Sequence, residues 1–393
     1  MSHPYKQYNP LRSEEGPVVK KMGWHSQMMH IIGYEEAREI LSDPKRFVKN
    51  RATLEPETNP MPSMGGGVDV FGLLYNNMLN ADHGDHRRLR ALVSKAFTNR
   101  RVKTLAPRIE EIAHELIDSF IDEGQIDLVK SFAFPLPIIV ICELLGIPST
   151  DHDKFEDWSN AFLGIIDPSE SYEQKILSFV DYLKVLISER RNTPKDDLIS
   201  ALVHAEEDGK RLSEQELYSM VALLIVAGHE TTVNLISNSM ATLLQHPDQL
   251  QRLRENPDQI EQAIEEFLRH DGPAEIATGR YAAEDVTIGD TFIERGTAIA
   301  VVLAGANRDP AAFTDADQFD INRENNKHLA FGFGVHHCIG APLARLEAKI
   351  AFTAMLQRLP DLELAIPADK IEYVSRTVVR GITALPIRWT TPA

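Results

Sequence analysis

Cysteine is nearly missing from this chain: 393 residues hold two, Cys142 and Cys338. Two thiols cannot build a disulfide framework, which excludes a stapled secreted scaffold. Cys142 lies inside the apolar run FAFPLPIIVICELLGIP and reads as a reduced core thiol. Excess positive charge is missing too. The formal net charge is −17, which argues against general affinity for nucleic-acid phosphates. No internal repeat, low-complexity tract or Gly/Ser linker divides the chain. The opening residues, MSHPYKQYNPLRSEEG, are polar and Pro-interrupted, without the apolar region of a signal peptide. The most apolar stretches, FAFPLPIIVICELLGIP and MVALLIVAG, are too short or too broken to span a bilayer. The expectation is a cytoplasmic, soluble monomer that binds neither membrane nor nucleic acid.

What is present is ordinary for a globular protein: 43% hydrophobic and 25% charged residues. A chain of this size can enclose a deep pocket. A strand hairpin is expected at 18–21 and 28–32, followed by a helix over 34–41. Residues 55–80 read as a long loop, and its Met61, Met64, Val68, Val70, Phe71, Leu73 and Leu74 favour a functional loop over a linker. Helical patterns dominate from about residue 86 to 270. The clearest covers 213–246, with Ser213 and Glu216 as a capping box and Pro247 marking its end. Such a helix would be about 50 Å long at ~1.5 Å per residue. Strand-like pieces return at 285–288, 298–303 and 382–389. The fold class is therefore mainly α with small β-sheets (α+β), a single domain over 1–393.

The middle of the long helix is apolar on all sides, so it should cross the core. Yet it contains Ala227-Gly228-His229-Glu230-Thr231-Thr232. Glycine in a helix interior costs roughly 0.5–1 kcal/mol relative to Ala, and a buried carboxylate costs more unless paired. A polar network that fixes helix packing is one explanation. The other is an opened helical turn beside a cofactor, with an acid and an alcohol placed to pass protons. The mid-helix position favours the second, because local rules break at functional sites.

Cys338 lies in FGFGVHHCIG, between glycines and just before a strong helix start with Pro342 in its first turn. A thiol at a helix N-terminus is favoured as thiolate. Against a buried thiol stand three chemistries. Zinc would need paired ligand spacing that is not here. A nucleophile would use His336 or His337 as base, although adjacent residues usually point apart. A thiolate on haem iron, which pushes electron density toward O–O cleavage, needs a proton relay opposite and basic partners for the propionates. The chain offers both.

On these motifs the chain resembles a cytochrome P-450, a soluble bacterial haem-thiolate monooxygenase, from about residue 28 to 389. FGFGVHHCIG is similar to the family's haem-binding loop, with Cys338 as axial ligand of the iron. AGHETT matches the oxygen-activating turn, placing Glu230 and Thr231 at the acid–alcohol pair. The resemblance implies haem b, held between the long central helix and the Cys-bearing loop. His86-x-x-x-Arg90, Arg280 and His336 fall at the positions that bind its propionates; His337 acquires no role. Glu266-x-x-Arg269 resembles the family's structural Glu-x-x-Arg element, paired with Arg323. Alone that pattern means little, since Glu35-x-x-Arg38 fits it as well. Departures are His83-Gly84 where the family often has two prolines, Ile339 where Leu is usual, and a shorter N-terminal segment.

The implied reaction inserts one oxygen atom from O₂ into an apolar small molecule, by hydroxylation or epoxidation. Electrons would come indirectly from NAD(P)H through a separate ferredoxin or flavodoxin and its reductase. Residues 86–108 carry Arg87, Arg88, Arg90, Lys95, Arg100, Arg101, Lys103 and Arg108 without an acid, which reads by itself as a solvated basic helix face; the resemblance places the run on the thiolate side of the haem and so implies docking of an acidic ferredoxin. Similar enzymes line the substrate pocket with the regions at 61–79, 155–179, 222–231, 275–278 and 378–379. The substrate classes open are fatty acyl, polyketide or macrolide, terpene and steroid, with AGHETTVNLISNS closest to members acting on polyketides and fatty acyl groups. A haem-thiolate ligand-binding or sensor protein is the alternative function, and a cysteine hydrolase would hold no haem at all.

Overall fold

The computed structural model describes residues 5, 8–22, 27–54, 75–162, 170–376 and 378–391. Most of the expected 55–80 loop and part of the 155–179 region lie outside the described residues. The chain forms two compact units, a first of Met1–Leu54, Ala106–Leu136 and Thr231–Ala393, and a second of Glu55–Leu105 and Pro137–Glu230.

The first unit contains a five-stranded sheet in the order Val18–Met22, Gln27–Ile31, Ala298–Val301, Arg280–Ala282, Phe47–Val48. The expected hairpin pairs antiparallel, Val18 opposite Ile31, and its second strand runs parallel to Ala298–Val301. Helix Tyr34–Ser42 buries Tyr34, Ala37, Ile40 and Leu41, one stripe of a 3.6-residue period. That stripe shares a core with Ile31, Phe47, Ile299 and Val301, while Val19, Ile32 and Val302 join Tyr5 and Tyr8 in a second cluster. The strand expected over 382–389 is two strands. Val379–Ile382 pairs with Tyr373–Arg376, and Pro386–Arg388 pairs with Gln125–Asp127 and Glu363–Leu364. The chain changes sheets between them, where the Leu385 amide donates to the Asp127 side chain at 2.8 Å.

The second unit is helical. Helices His152–Phe162 and Tyr172–Asn192 pack through Phe155, Trp158 and Phe179, with ring centroids 4.9–6.2 Å apart. The longest helix, Glu214–Leu244, starts in the second unit and ends in the first. Its capping box forms as expected: the Ser213 amide donates to Glu216 Oε2 at 2.8 Å and the Glu216 amide to Ser213 Oγ at 3.3 Å. By length and composition this helix could cross a bilayer, contrary to the reading from its short apolar run, but most of its apolar window is buried in protein.

Candidate haem-thiolate site

The Cys-bearing loop is built on a buried ionic platform in the first unit. Glu266, on helix Ile260–Asp271, is fully buried and takes a bidentate pair from Arg269 at 2.7 and 2.8 Å. Arg323 Nε approaches both Glu266 oxygens at 3.2–3.3 Å, and the Asp320 amide and Asn326 Nδ2 donate to them as well. The two guanidiniums use their remaining protons on the carbonyls of Asn307, Ala316, Gln318, Thr314 and Asp315. One buried carboxylate thus organises residues 307–326, which lead directly into FGFGVHHCIG. By contrast Glu35 and Arg38 form an exposed i,i+3 pair at 3.2 Å.

Within the loop, Gly332 and Gly334 adopt φ of 69° and 75°, a left-handed backbone that L side chains rarely take. A Cβ on Gly334 would also strike the Leu41 carbonyl oxygen. The Cys338 amide donates to Phe331 O at 2.9 Å, which folds the loop back on itself. Cys338 is exposed, whereas Cys142 is fully buried on helix Pro135–Leu145, where burial first and Glu143 second push its thiol up to about 12. Helix Ala341–Arg358 begins three residues after Cys338, with Pro342 in its first turn.

A supporting contact was not foreseen from the sequence. Arg345, one turn along that helix, stacks its guanidinium 4.5 Å from the Phe331 ring and bonds Glu265 at 2.6 and 2.8 Å. Burial raises the Glu265 carboxyl, but Arg345 and His328 outweigh it and hold it at about 2. An acid depressed on folding contributes stability that is complete above its unfolded pKa and lost as pH falls through the folded one. Glu265→Gln is therefore expected to cost about 1–2 kcal/mol at pH 7, discounted for partial solvent exposure. Urea melts should show this difference closing as pH falls below about 4 toward 2.

The long helix runs unbroken through AGHETT, so the opened turn expected there is not seen; what changes is burial. Ala227 is exposed and Gly228, Glu230 and Thr231 are half-buried, between flanks that are buried. His229 is buried, and its Nδ1 lies 3.2 Å from Ser159 Oγ, which makes it a packing residue of the second unit. Glu230 and Thr231 are consecutive on this helix. His86 and Arg90 share one face of helix His83–Ala96, His86 buried and Arg90 half-buried. His83, where the family often has proline, starts that helix at φ 47°. Arg280 is buried on the five-stranded sheet of the first unit, with Nη1 3.3 Å from Thr278 O. His336 is half-buried in the cysteine loop, and the His337 ring lies 6.4 Å from that of Phe331.

The basic run is less available than its sequence suggests. Arg88 pairs with Glu216, Lys95 with Glu207, Arg101 with Asp196 and Arg108 with Glu111. Among the described residues, exposed Arg87, Arg100 and Lys103 keep no ion pair.

An exposed thiol on a glycine-built loop, with Arg280 and His336 in the same unit, is donor chemistry that suits a group carrying one thiolate-bound iron and two carboxylates: a haem-thiolate protein. The cytochrome P-450 family profile matches residues 165–360. The monooxygenase PikC of Streptomyces venezuelae is 44% identical over 390 residues, covering 98% of this chain and 91% of that protein. Among solved structures, the PksS cytochrome of the Bacillus subtilis 168 bacillaene polyketide synthase aligns with TM-score 0.90 at 41% identity, over 99% of this chain and 97% of that one. P-450BioI in complex with acyl carrier protein ligated to hexadec-9Z-enoic acid aligns with TM-score 0.89 at 38% identity, over 99% and 98%. The chain belongs to the cytochrome P-450 family. It is a monooxygenase with thiolate-ligated haem iron, whose electrons originate in NAD(P)H and arrive through partner proteins.

Proposed function

We propose that this enzyme oxygenates an apolar polyketide or fatty acyl substrate by hydroxylation or epoxidation, with Cys338 as the iron ligand. The contrast between the two thiols carries the assignment: one is sealed in a core helix with its ionisation suppressed, the other is exposed at a helix start. His86, Arg90, Arg280 and His336 hold the haem carboxylates, since two anions brought into a core need cationic partners. Bound haem supplies O₂ activation, assisted by the electron push of its thiolate. The protein's own share is proton handling. Glu230 would take up protons from water at its carboxylate, and Thr231 Oγ1 would hold the water that passes them on. The substrate class rests on the polyketide synthase and acyl carrier protein named with two structural relatives.

Thr231→Ala tests the relay. Product formed per NAD(P)H consumed should fall about tenfold, while NAD(P)H consumption stays within about twofold of wild type. Unchanged coupling would remove Thr231 from the mechanism. An acidic ferredoxin, or a flavodoxin, delivers the electrons, and the available cations for its docking are Arg87, Arg100 and Lys103. Arg101, which the sequence placed among them, is engaged by Asp196.

A further inference from the structure

Two segments assigned above to the pocket wall, 275–278 and 378–379, are half-buried and joined backbone to backbone in the first unit. The Glu275 and Ile276 amides donate to Val378 O at 3.0 and 3.4 Å, and the Arg380 amide donates to Pro273 O at 2.8 Å. Behind this seam lies a buried polar cluster. Asp271, the last residue of helix Ile260–Asp271, is 5% exposed, and its Oδ1 accepts from both Arg380 Nη1 and Tyr5 Oη. The Arg380 guanidinium, 2% exposed, lies 3.8 Å from the Tyr373 ring and 5.2 Å from the Tyr5 ring. Asn238 of the long helix donates Nδ2 to the carbonyls of Arg380 and Asp271, at 3.1 and 3.5 Å. Gly381 completes the fit, because any Cβ there would collide with the Asn234 side chain. Tyr8 Oη donates to Glu275 at 2.9 Å, and Ile276 packs on the Tyr5–Tyr8 apolar cluster.

A buried ion pair contributes little net stability over apolar side chains of the same volume; what its directional bonds do supply is one register in place of several. Each bond here ties the Arg380 strand or the Asp271 helix end to its neighbour, and the wall segments leave directly from those two residues. We propose that Asp271, Arg380 and Asn238 are positioning residues that clamp the 275–278 and 378–379 wall, and so set how a substrate is oriented for oxidation. The clamp itself is a property of the fold; that the wall faces substrate rests on the monooxygenase function proposed above.

The test uses purified holoenzyme and two readouts that need no turnover. Asp271→Asn combined with Arg380→Met removes both charges together, avoiding the cost of one unpaired buried ion. Hydrogen exchange at amides 274–278 and 379–382 should quicken at least about tenfold, with the Ala298–Val301 strand unchanged. The ratio of dissociation constants for 4-phenylimidazole and imidazole, read from their spectral shifts on haem, should move at least about fivefold. Tyr5→Phe, which keeps the ion pair, should leave both within about twofold. If the double variant does not fold, Asn238→Ala decides, with the same two segments expected to loosen. A variant that melts earlier while segment exchange and azole ratio stay at wild-type values overturns the clamp, leaving only a structural pair. Absence of any oxygenated product would count against the proposed function and leaves these two readouts intact.

Discussion

Cys338→Ser is expected to yield folded protein whose reduced, carbon monoxide-treated form lacks the strongly red-shifted Soret band of thiolate-ligated haem. Monooxygenase turnover should fall by more than about 100-fold, because the hydroxyl is a far weaker electron donor than a thiolate. The loop itself should survive, since its path depends on Gly332, Gly334 and the Cys338 amide bond to Phe331 O, none of which uses the sulfur. Cys142→Ala is the control. That thiol is buried in a core helix, so the change removes one small buried group and should cost about 1 kcal/mol of stability with the spectrum intact. Difference spectra of the two variants decide the assignment, and a normal band in Cys338→Ser would reject it.

Glu266→Gln should be the most damaging change away from the haem. Glutamine keeps the shape but leaves the charges of Arg269 and Arg323 without their carboxylate, at 0% and 11% side-chain exposure. Removing one partner of a buried ionic cluster costs about 3–5 kcal/mol, a large fraction of a typical domain's stability. Because Glu266 organises the segment that feeds the cysteine loop, the loss should appear as a lower thermal midpoint together with lower haem content per chain. The same substitution at Glu35 serves as comparison. That exposed pair should be worth less than about 0.5 kcal/mol, so equal losses at the two sites would contradict the platform role of Glu266.

The two Glu-x-x-Arg patterns show where sequence reading stops. Both place an acid and an arginine one helical turn apart, and either can form the short-range pair. Only the fold makes one a buried hub and the other a surface contact, by bringing Arg323 and the 307–326 carbonyls onto Glu266. The basic stretch teaches the same lesson. Arg88 and Arg101 look as available as Arg87 and Arg100 until Glu216 and Asp196, from distant parts of the chain, arrive beside them.

By itself, the sequence determined what short-range physics controls. It set the strand hairpin at 18–21 and 28–32, the Ser213–Glu216 capping box, the glycine loop around Cys338 and the order of motifs that carries the family. Each depends on residues a few positions apart, or on a pattern readable along the chain. The continuity of the long helix through Gly228, the sheet change between Ile382 and Pro386, the Arg345–Glu265 brace and the Asp271–Arg380–Tyr5 cluster were decided by tertiary structure alone. Their partners are as many as 375 residues apart, as between Arg380 and Tyr5. No local propensity encodes such a meeting; it exists only once the core has closed around it.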